Sequence, residues 1–223
     1  MQTKVQLDID ISSYWHPGTG KGSGSHLDAL VERDRFGLPF ISGRMLKGLC
    51  RDAVNRMESW GRLDTFTQGD KSLTESLFGS SSYNTRNKTK NGKKNETENL
   101  ARDYTESGVI RFSDATFPED MQVWLSHKDQ RESRQQLFRD FYSTAIQYST
   151  GVAKKNSLRG MEMVVPVSLS STIDWIGSET DHEKDWQEIL SLCIPLIRAV
   201  GGHRTRGFGR AELRLSNSEE KAL

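Results

Sequence analysis

Two stretches of the sequence have residue types and spacings suited to binding an anionic chain. One is GGHRTRGFGR, residues 201–210, whose four glycines allow the backbone to approach a ligand closely. The hydrogen-bond donors in this stretch are His203, Arg204, Arg206 and Arg210, and Phe208 could stack on a base. Because the cations are spread along the loop, it suits a phosphodiester backbone better than a single phosphate. The alternative is a glycine-rich connector with incidental arginines.

The other stretch is a predicted helix from about Gly43 to Trp60, which separates its residues into two faces at about 100° per residue. One face should enter a core, and it holds Leu46, Leu49, Cys50, Ala53 and Met57. The opposite face places Arg44, Lys47 and Arg51 around Gly48, so an anionic chain could lie close to the backbone there. An ordinary solvated basic face is the competing interpretation. A lone acid, Asp28, stands just upstream of this helix.

The elements that position these stretches follow from hydrophobic periodicity. Alternation of apolar and polar residues predicts strands at residues 3–11, from 108 onward, and at 121–125, 161–169 and 211–215. Residues 129–143 are interpreted as a short helix or a connector. A second long helix is predicted from about Asp181, with a break at Pro195. The order strand, helix, strands, helix, strand predicts an α+β, ferredoxin-like βαββαβ fold. We interpret residues 1–223 as a single domain of this kind, in which a polar, low-complexity run forms a flexible insertion at about 80–107.

Composition limits the classes of protein that remain. Thirty-one basic and 30 acidic residues leave a net charge of +1, which excludes a uniformly basic nucleic-acid binder but permits a local basic surface. Cys50 and Cys193 both fall on predicted apolar faces and are interpreted as small buried hydrophobes in a reducing compartment. We find no signal peptide or membrane-spanning run, and therefore expect a cytoplasmic protein with no membrane partner.

Four blocks of the sequence resemble the RAMP superfamily of CRISPR effector subunits, and in particular the repeated backbone subunit of type III complexes. They occur in the family's order over most of the chain. The blocks are LDALVERDRFGLPFISGRMLKGLCR at 27–51, LFG at 77–79 with GVIRFSDA at 108–115, TGVAKKNSLRGMEMVVP at 150–166, and GGHRTRGFGR at 201–210. The resemblance implies an RRM-like subunit that assembles with other effector subunits along a guide RNA and holds that guide paired with a target RNA. An extended thumb-like loop would insert at intervals.

The resemblance also implies roles for particular residues. Asp28 occupies the position of a loop acid that the family requires to cut target RNA, together with Mg²⁺ or another divalent cation. The implied RNA-binding residues are Arg44, Lys47, Arg51, Lys154, Arg159, His203, Arg204, Arg206 and Phe208. One carboxylate is too few to hold Mg²⁺ alone, so substrate phosphates would complete its ligand set. Scission could proceed by in-line attack of a 2′-hydroxyl, with Asp28 as metal ligand or base and His26 as a second proton-transfer group.

Three other interpretations compete with an RNA-guided endoribonuclease. A non-catalytic RNA-binding scaffold subunit of the same assembly would leave Asp28 as an Asx-turn or capping residue. A stand-alone ribonuclease that processes repeat RNA would be expected to have a second domain and a histidine-based acid and base, and the length of the chain argues against it. Charge alone does not distinguish DNA from RNA, although glycine-loop and aromatic contacts suit single strands better than duplex grooves.

Overall fold

Six strands and five helices make up the part of the chain that the computed structural model describes, which is residues 3–20, 22, 27–66, 72–80, 106–177 and 185–216. In chain order they are β1 (Lys4–Ile11), α1 (Gly43–Ser59), α2 (Leu73–Phe78), β2 (Ile110–Phe112), α3 (Glu119–Ser126), α4 (Arg131–Gln135), β3 (Phe138–Ser143), β4 (Arg159–Val164), β5 (Val167–Trp175), α5 (Trp186–Cys193) and β6 (Ala211–Ser216). No helix in these ranges is long and apolar enough to cross a bilayer.

The main sheet is antiparallel and has the strand order β2-β5-β1-β6. The strands β1, β2, β5 and β6 and the helices α1 and α5 follow one another as βαββαβ, so the predicted ferredoxin-like α+β fold is confirmed. The strand β1 lies between β5 and β6, and its alternating apolar residues, among them Leu7 and Ile9, are fully buried. Burial of a Leu or Ile side chain contributes roughly 1.5–3 kcal/mol to stability.

The two long helices complete the core. The helices α1 and α5 contact each other, and their buried side chains join those of β1 in one hydrophobic cluster. Cys50 and Cys193 belong to this cluster as free thiols, and burial raises the pKa of Cys50 to about 12 and that of Cys193 to about 11. Both cysteines are therefore neutral, small apolar residues near neutral pH.

One predicted element type is wrong and another is correct only in part. Residues 121–125 form part of the helix α3 instead of a strand, because Glu119 and Asp120 lie in its first turn, where carboxylates favour the helix dipole. Residues 129–143 contain the short helix α4 but end in the strand β3. The start of the second long helix at Asp181 lies outside the described residues, whereas its break is confirmed: α5 ends at Cys193 and a 3₁₀ turn, Ile194–Leu196, follows.

The predicted strand at 161–169 is two strands that belong to different sheets. Pro166 has no amide hydrogen for a ladder bond and separates them. The strand β5 enters the main sheet, while β4 pairs with β3 in a separate antiparallel hairpin with the loop 144–158. Residues 81–105, which cover most of the predicted insertion, lie outside the described residues.

A segment that we call the strap, residues 27–41, runs from this hairpin to the edge of the main sheet. It begins beside β4, where Ala29 pairs with Met161, and it ends where Ile41 pairs with Ala115. The strap turns at residues 34–38, where the Asp34 carboxylate accepts hydrogen bonds from the backbone amides of Phe36 and Leu38 at 2.8 and 2.9 Å. The strap therefore connects the two sheets and carries Asp28 at its hairpin end.

Candidate nucleic-acid interface

Asp28 is exposed and fixed to β4 by two hydrogen bonds. Its backbone amide donates to the Gly160 carbonyl at 2.8 Å, and the Gly160 amide donates to its carboxylate Oδ2 at 3.0 Å. A Cβ at position 160 would lie 2.9 Å from both the Leu27 and the Tyr142 side chains, so a larger residue there would require these side chains to shift. This arrangement holds one carboxylate in a defined position at the base of the hairpin.

The acid has few companions that could bind a metal ion. No group of three or more His, Cys, Asp or Glu side chains suited to a metal occurs in the described part of the chain. One oxygen of Asp28 already accepts the Gly160 hydrogen bond. These residues do not by themselves form a site for a divalent cation, and Asp28 could supply at most part of a ligand set that phosphates complete. His26, the second predicted proton-transfer group, lies outside the described residues.

The glycine-rich loop is pinned by its backbone to the segment that follows β1. Gly202 and Gly209 donate to the carbonyls of His16 and Tyr14 at 2.7 and 2.8 Å. Gly209 has a φ of +69°, and a Cβ there would lie 1.9 Å from the Val200 carbonyl oxygen. The glycines thus let this loop fold back closely on itself and on its neighbour.

The loop directs its predicted RNA-binding residues outward. His203, Arg204 and Arg206 are all exposed, and a 3₁₀ turn spans Arg204–Arg206. His203 has a φ of +55°, the left-handed conformation. Phe208 differs from them, because it is half-buried and its ring meets that of Phe141 edge-on at 5.2 Å between centroids. The loop therefore touches the same hairpin that holds Asp28.

The hairpin loop contributes two further predicted residues. Lys154 and Arg159 are both exposed. The same loop exposes large apolar side chains, including Tyr148 at 103% and Leu158 at 69% of their maximal area. Backbone hydrogen bonds such as that from Gln147 to Val152, at 2.8 Å, hold the loop in a folded conformation. Apolar side chains exposed this fully are typical of a surface that meets a partner.

The basic face of α1 lies elsewhere on the chain. Arg44 and Lys47 line an open cleft of about 440 Å³ beside β2, which Arg111 also lines. Burial, and secondarily the nearby Arg51 charge, lowers the pKa of Lys47. Arg51 donates to the Gly79 carbonyl at 3.1 Å, so it also stabilises the end of α2. A Cβ at Gly48 would meet nothing within 4 Å, so the helix surface is open there.

The structure therefore brings some predicted residues together and not others. The β3–β4 hairpin is adjoined by Asp28 and the glycine-rich loop and contains Arg159. The cations of α1 lie elsewhere: Arg44 and Lys47 line the cleft beside β2, and Arg51 contacts the end of α2. Sequence reasoning missed two buried polar residues at this junction. The His16 carbonyl accepts a hydrogen bond from the Gly202 amide, and the Nδ1 atom of the His16 ring lies 2.7 Å from the Glu162 carbonyl oxygen. A lone acid inside the apolar run MEMVV was the available signal for Glu162.

The comparisons with known proteins agree with this architecture. The fold is a ferredoxin-like α+β fold with a glycine-rich loop before its last strand. The sequence profile of the RAMP superfamily matches residues 8–212 of this chain. The chain therefore belongs to the RAMP superfamily. A search of curated proteins found no match.

Solved structures of type III-B complexes contain similar chains. One is from a cryo-EM structure of the type III-B Cmr-beta complex bound to cognate target RNA, with 12% identity and a TM-score of 0.61, covering 96% of this chain and 97% of that one. Another is from the apo state of type III-B Cmr-beta, with 13% identity and a TM-score of 0.57, covering 96% and 98%. At such identities the similarity establishes a common fold over nearly the whole chain.

Proposed function

We propose that this chain is a subunit of a type III CRISPR ribonucleoprotein that binds a guide RNA and cleaves target RNA paired with it at the Asp28 loop. Its membership of the RAMP superfamily and its full-length similarity in fold to chains of type III-B complexes support this proposal. The partners are guide RNA, target RNA and other effector subunits.

Three groups of cations contact the RNA in this proposal. His203, Arg204 and Arg206 contact phosphates of the guide, and the glycine-rich backbone that carries them approaches the strand closely. On α1, Arg44 and Lys47 provide a separate basic surface for the same backbone. The exposed apolar residues of the hairpin loop insert between bases, with Lys154 and Arg159 neutralising the adjoining phosphates.

The observation that carries the cleavage proposal is the fixed position of Asp28 against Gly160. As general base, the Asp28 carboxylate takes the proton of a target 2′-hydroxyl. The 2′-oxygen then bonds to phosphorus while the bond from phosphorus to the 5′-oxygen breaks. The departing 5′-oxygen takes a proton from water and Asp28 returns its proton to solvent, which leaves a cyclic phosphate and a 5′-hydroxyl. In the alternative role, Asp28 acts as a metal ligand instead of a base, and its carboxylate together with RNA phosphates would hold a divalent cation that neutralises charge on the phosphoryl oxygens.

Two substitutions of Asp28 separate its chemistry from its structural role. In the assembly with guide RNA, complementary target RNA and Mg²⁺, Asp28→Asn keeps an oxygen that can accept the Gly160 hydrogen bond but loses the base. Asp28→Ala loses both. We expect each variant to slow cleavage by about 100-fold or more while target binding is retained. Asp129→Asn, an exposed acid remote from this junction in sequence, serves as control and should cleave as the wild type does.

The second candidate is a non-catalytic scaffold subunit of the same assembly. Two observations favour it: the described residues include no cluster of metal ligands, and the hydrogen bond from Gly160 gives Asp28 a structural role. In that case Asp28→Asn would leave cleavage unchanged, and Asp28→Ala would alter only the stability of the strap.

A further inference from the structure

An open cleft lies between the strap, α4 and the hairpin, and nothing in the proposed function uses it. It has a volume of about 520 Å³, within the range of small-ligand sites, and we call it the strap cleft. Its lining includes Arg33, Arg131, Arg134, Phe138, Asp140 and Glu162.

The Arg33 guanidinium is held in a defined orientation in this cleft. Its central carbon lies 3.7 Å from the centre of the Phe138 ring, and its Nη2 lies 2.5 Å from Glu162 Oε1. The side chain of Glu162 is only 11% exposed, whereas that of Arg33 is 41% exposed. One side of the guanidinium therefore contacts an aromatic ring while part of the group remains accessible from the cleft. A fixed guanidinium plane is a surface on which nucleobases stack.

The net charge of the cleft lining is opposite and equal to that of one nucleotide in an RNA chain, which carries a single negative phosphate charge. Three arginines and two carboxylates leave one positive charge, and the Arg33–Glu162 ion pair uses one charge of each sign. Arg134 donates to the carbonyls of Leu125 and His127. Arg131 makes no such hydrogen bond to the described part of the chain. Asp140 repels further phosphates but can accept from base amino groups and ribose hydroxyls. A nucleoside triphosphate fits this balance poorly.

We propose that the strap cleft binds one unpaired nucleotide of the RNA, with its base on the Arg33 guanidinium and its phosphate at Arg131. This inference rests on the proposed function and deepens it, because it identifies where an unpaired base is held. Asp28 lies five positions before Arg33 on the same strap, so occupation of the cleft positions the strand relative to that carboxylate.

The test uses the full chain and two RNA duplexes that differ only by one bulged 2-aminopurine nucleotide. We expect Arg33→Lys, which keeps the charge but loses the planar group, to weaken binding of the bulged duplex about tenfold and to leave the paired duplex unchanged. Quenching of 2-aminopurine fluorescence, seen with the wild type, should be lost. Arg131→Gln should likewise weaken only the bulged duplex. Arg214→Lys, at an exposed arginine paired with Glu212 at 2.7 Å, is the matched control and should change neither binding constant.

Other results would overturn the proposal in distinguishable ways. Equal weakening of both duplexes, or quenching that survives Arg33→Lys, means that no base stacks on Arg33. A 4-thiouridine at the bulge that crosslinks to peptides other than those of the strap cleft leads to the same conclusion. Tighter Arg33-dependent binding of free ATP than of the bulged duplex would replace the RNA with a small nucleotide. If the wild-type chain binds neither duplex, the proposed function itself fails together with this site.

Discussion

The ion pair between Arg33 and Glu162 should couple the strap to the hairpin, and a double-mutant cycle measures that coupling. The Glu162 carboxylate accepts hydrogen bonds from Arg33 Nη2 at 2.5 Å and from the Val31 amide at 3.1 Å. Hydrogen bonds to charged groups contribute about 1.5–3 kcal/mol, and exposed ion pairs about 0–1 kcal/mol. Because Glu162 is buried while Arg33 is partly exposed, we expect a coupling free energy of about 1–2 kcal/mol.

The cycle compares the wild type, Arg33→Met, Glu162→Gln and the double variant by urea unfolding. Glutamine keeps the volume of Glu162 and an acceptor for the Val31 amide, so the loss is mainly that of the ion pair. Hydrogen exchange at the Val31 and Asp28 amides should accelerate in both single variants, because both amides bond the strap to β4. A coupling below about 0.3 kcal/mol, the limit of additivity for independent sites, together with unchanged exchange, would refute the view that this pair fixes the strap.

Two further predictions concern stability. Burial disfavours the charged Glu58 carboxylate, but hydrogen bonds from Thr74 and from the start of α2 outweigh this effect and lower the pKa of Glu58. The stability that this carboxylate contributes is therefore present above its unfolded pKa of about 4.5 and is lost as the pH falls through its lower folded pKa. Glu58→Gln should therefore destabilise the fold by about 1 kcal/mol at pH 7, a value reduced for solvent screening of this partly exposed side chain, and by progressively less as the pH falls below 4.5, as measured by urea unfolding across this pH range. Gly209→Ala should destabilise the chain more than Gly207→Ala in thermal melts. Both glycines have positive φ, but only a Cβ at 209 would collide with Val200, and equal losses would contradict this steric argument.

Much of the architecture could be predicted because it is encoded locally. The alternation of β1, the two faces of α1 and the glycine-rich loop are each legible within a window of a few residues, and each lies where predicted. The hairpin was missed because β3 is largely exposed and shows no alternation of buried residues. Residues 121–125 were misread because Leu125 is the only buried residue of α3, which leaves too little periodicity to separate helix from strand.

For the site, the sequence identified types of residue but not their relations. Asp28 and the exposed loop arginines could be predicted from their residue types and from the resemblance to a known family. The hydrogen bond between Asp28 and Gly160, which are 132 positions apart, follows only from the tertiary fold. The same holds for Arg33 and Glu162, which are 129 positions apart. A buried carboxylate must find a partner wherever the chain places one, and a local pattern carries no information about where that will be. By itself the sequence therefore determined the fold class and the chemical character of the candidate interface, whereas the tertiary structure decided which residues lie together.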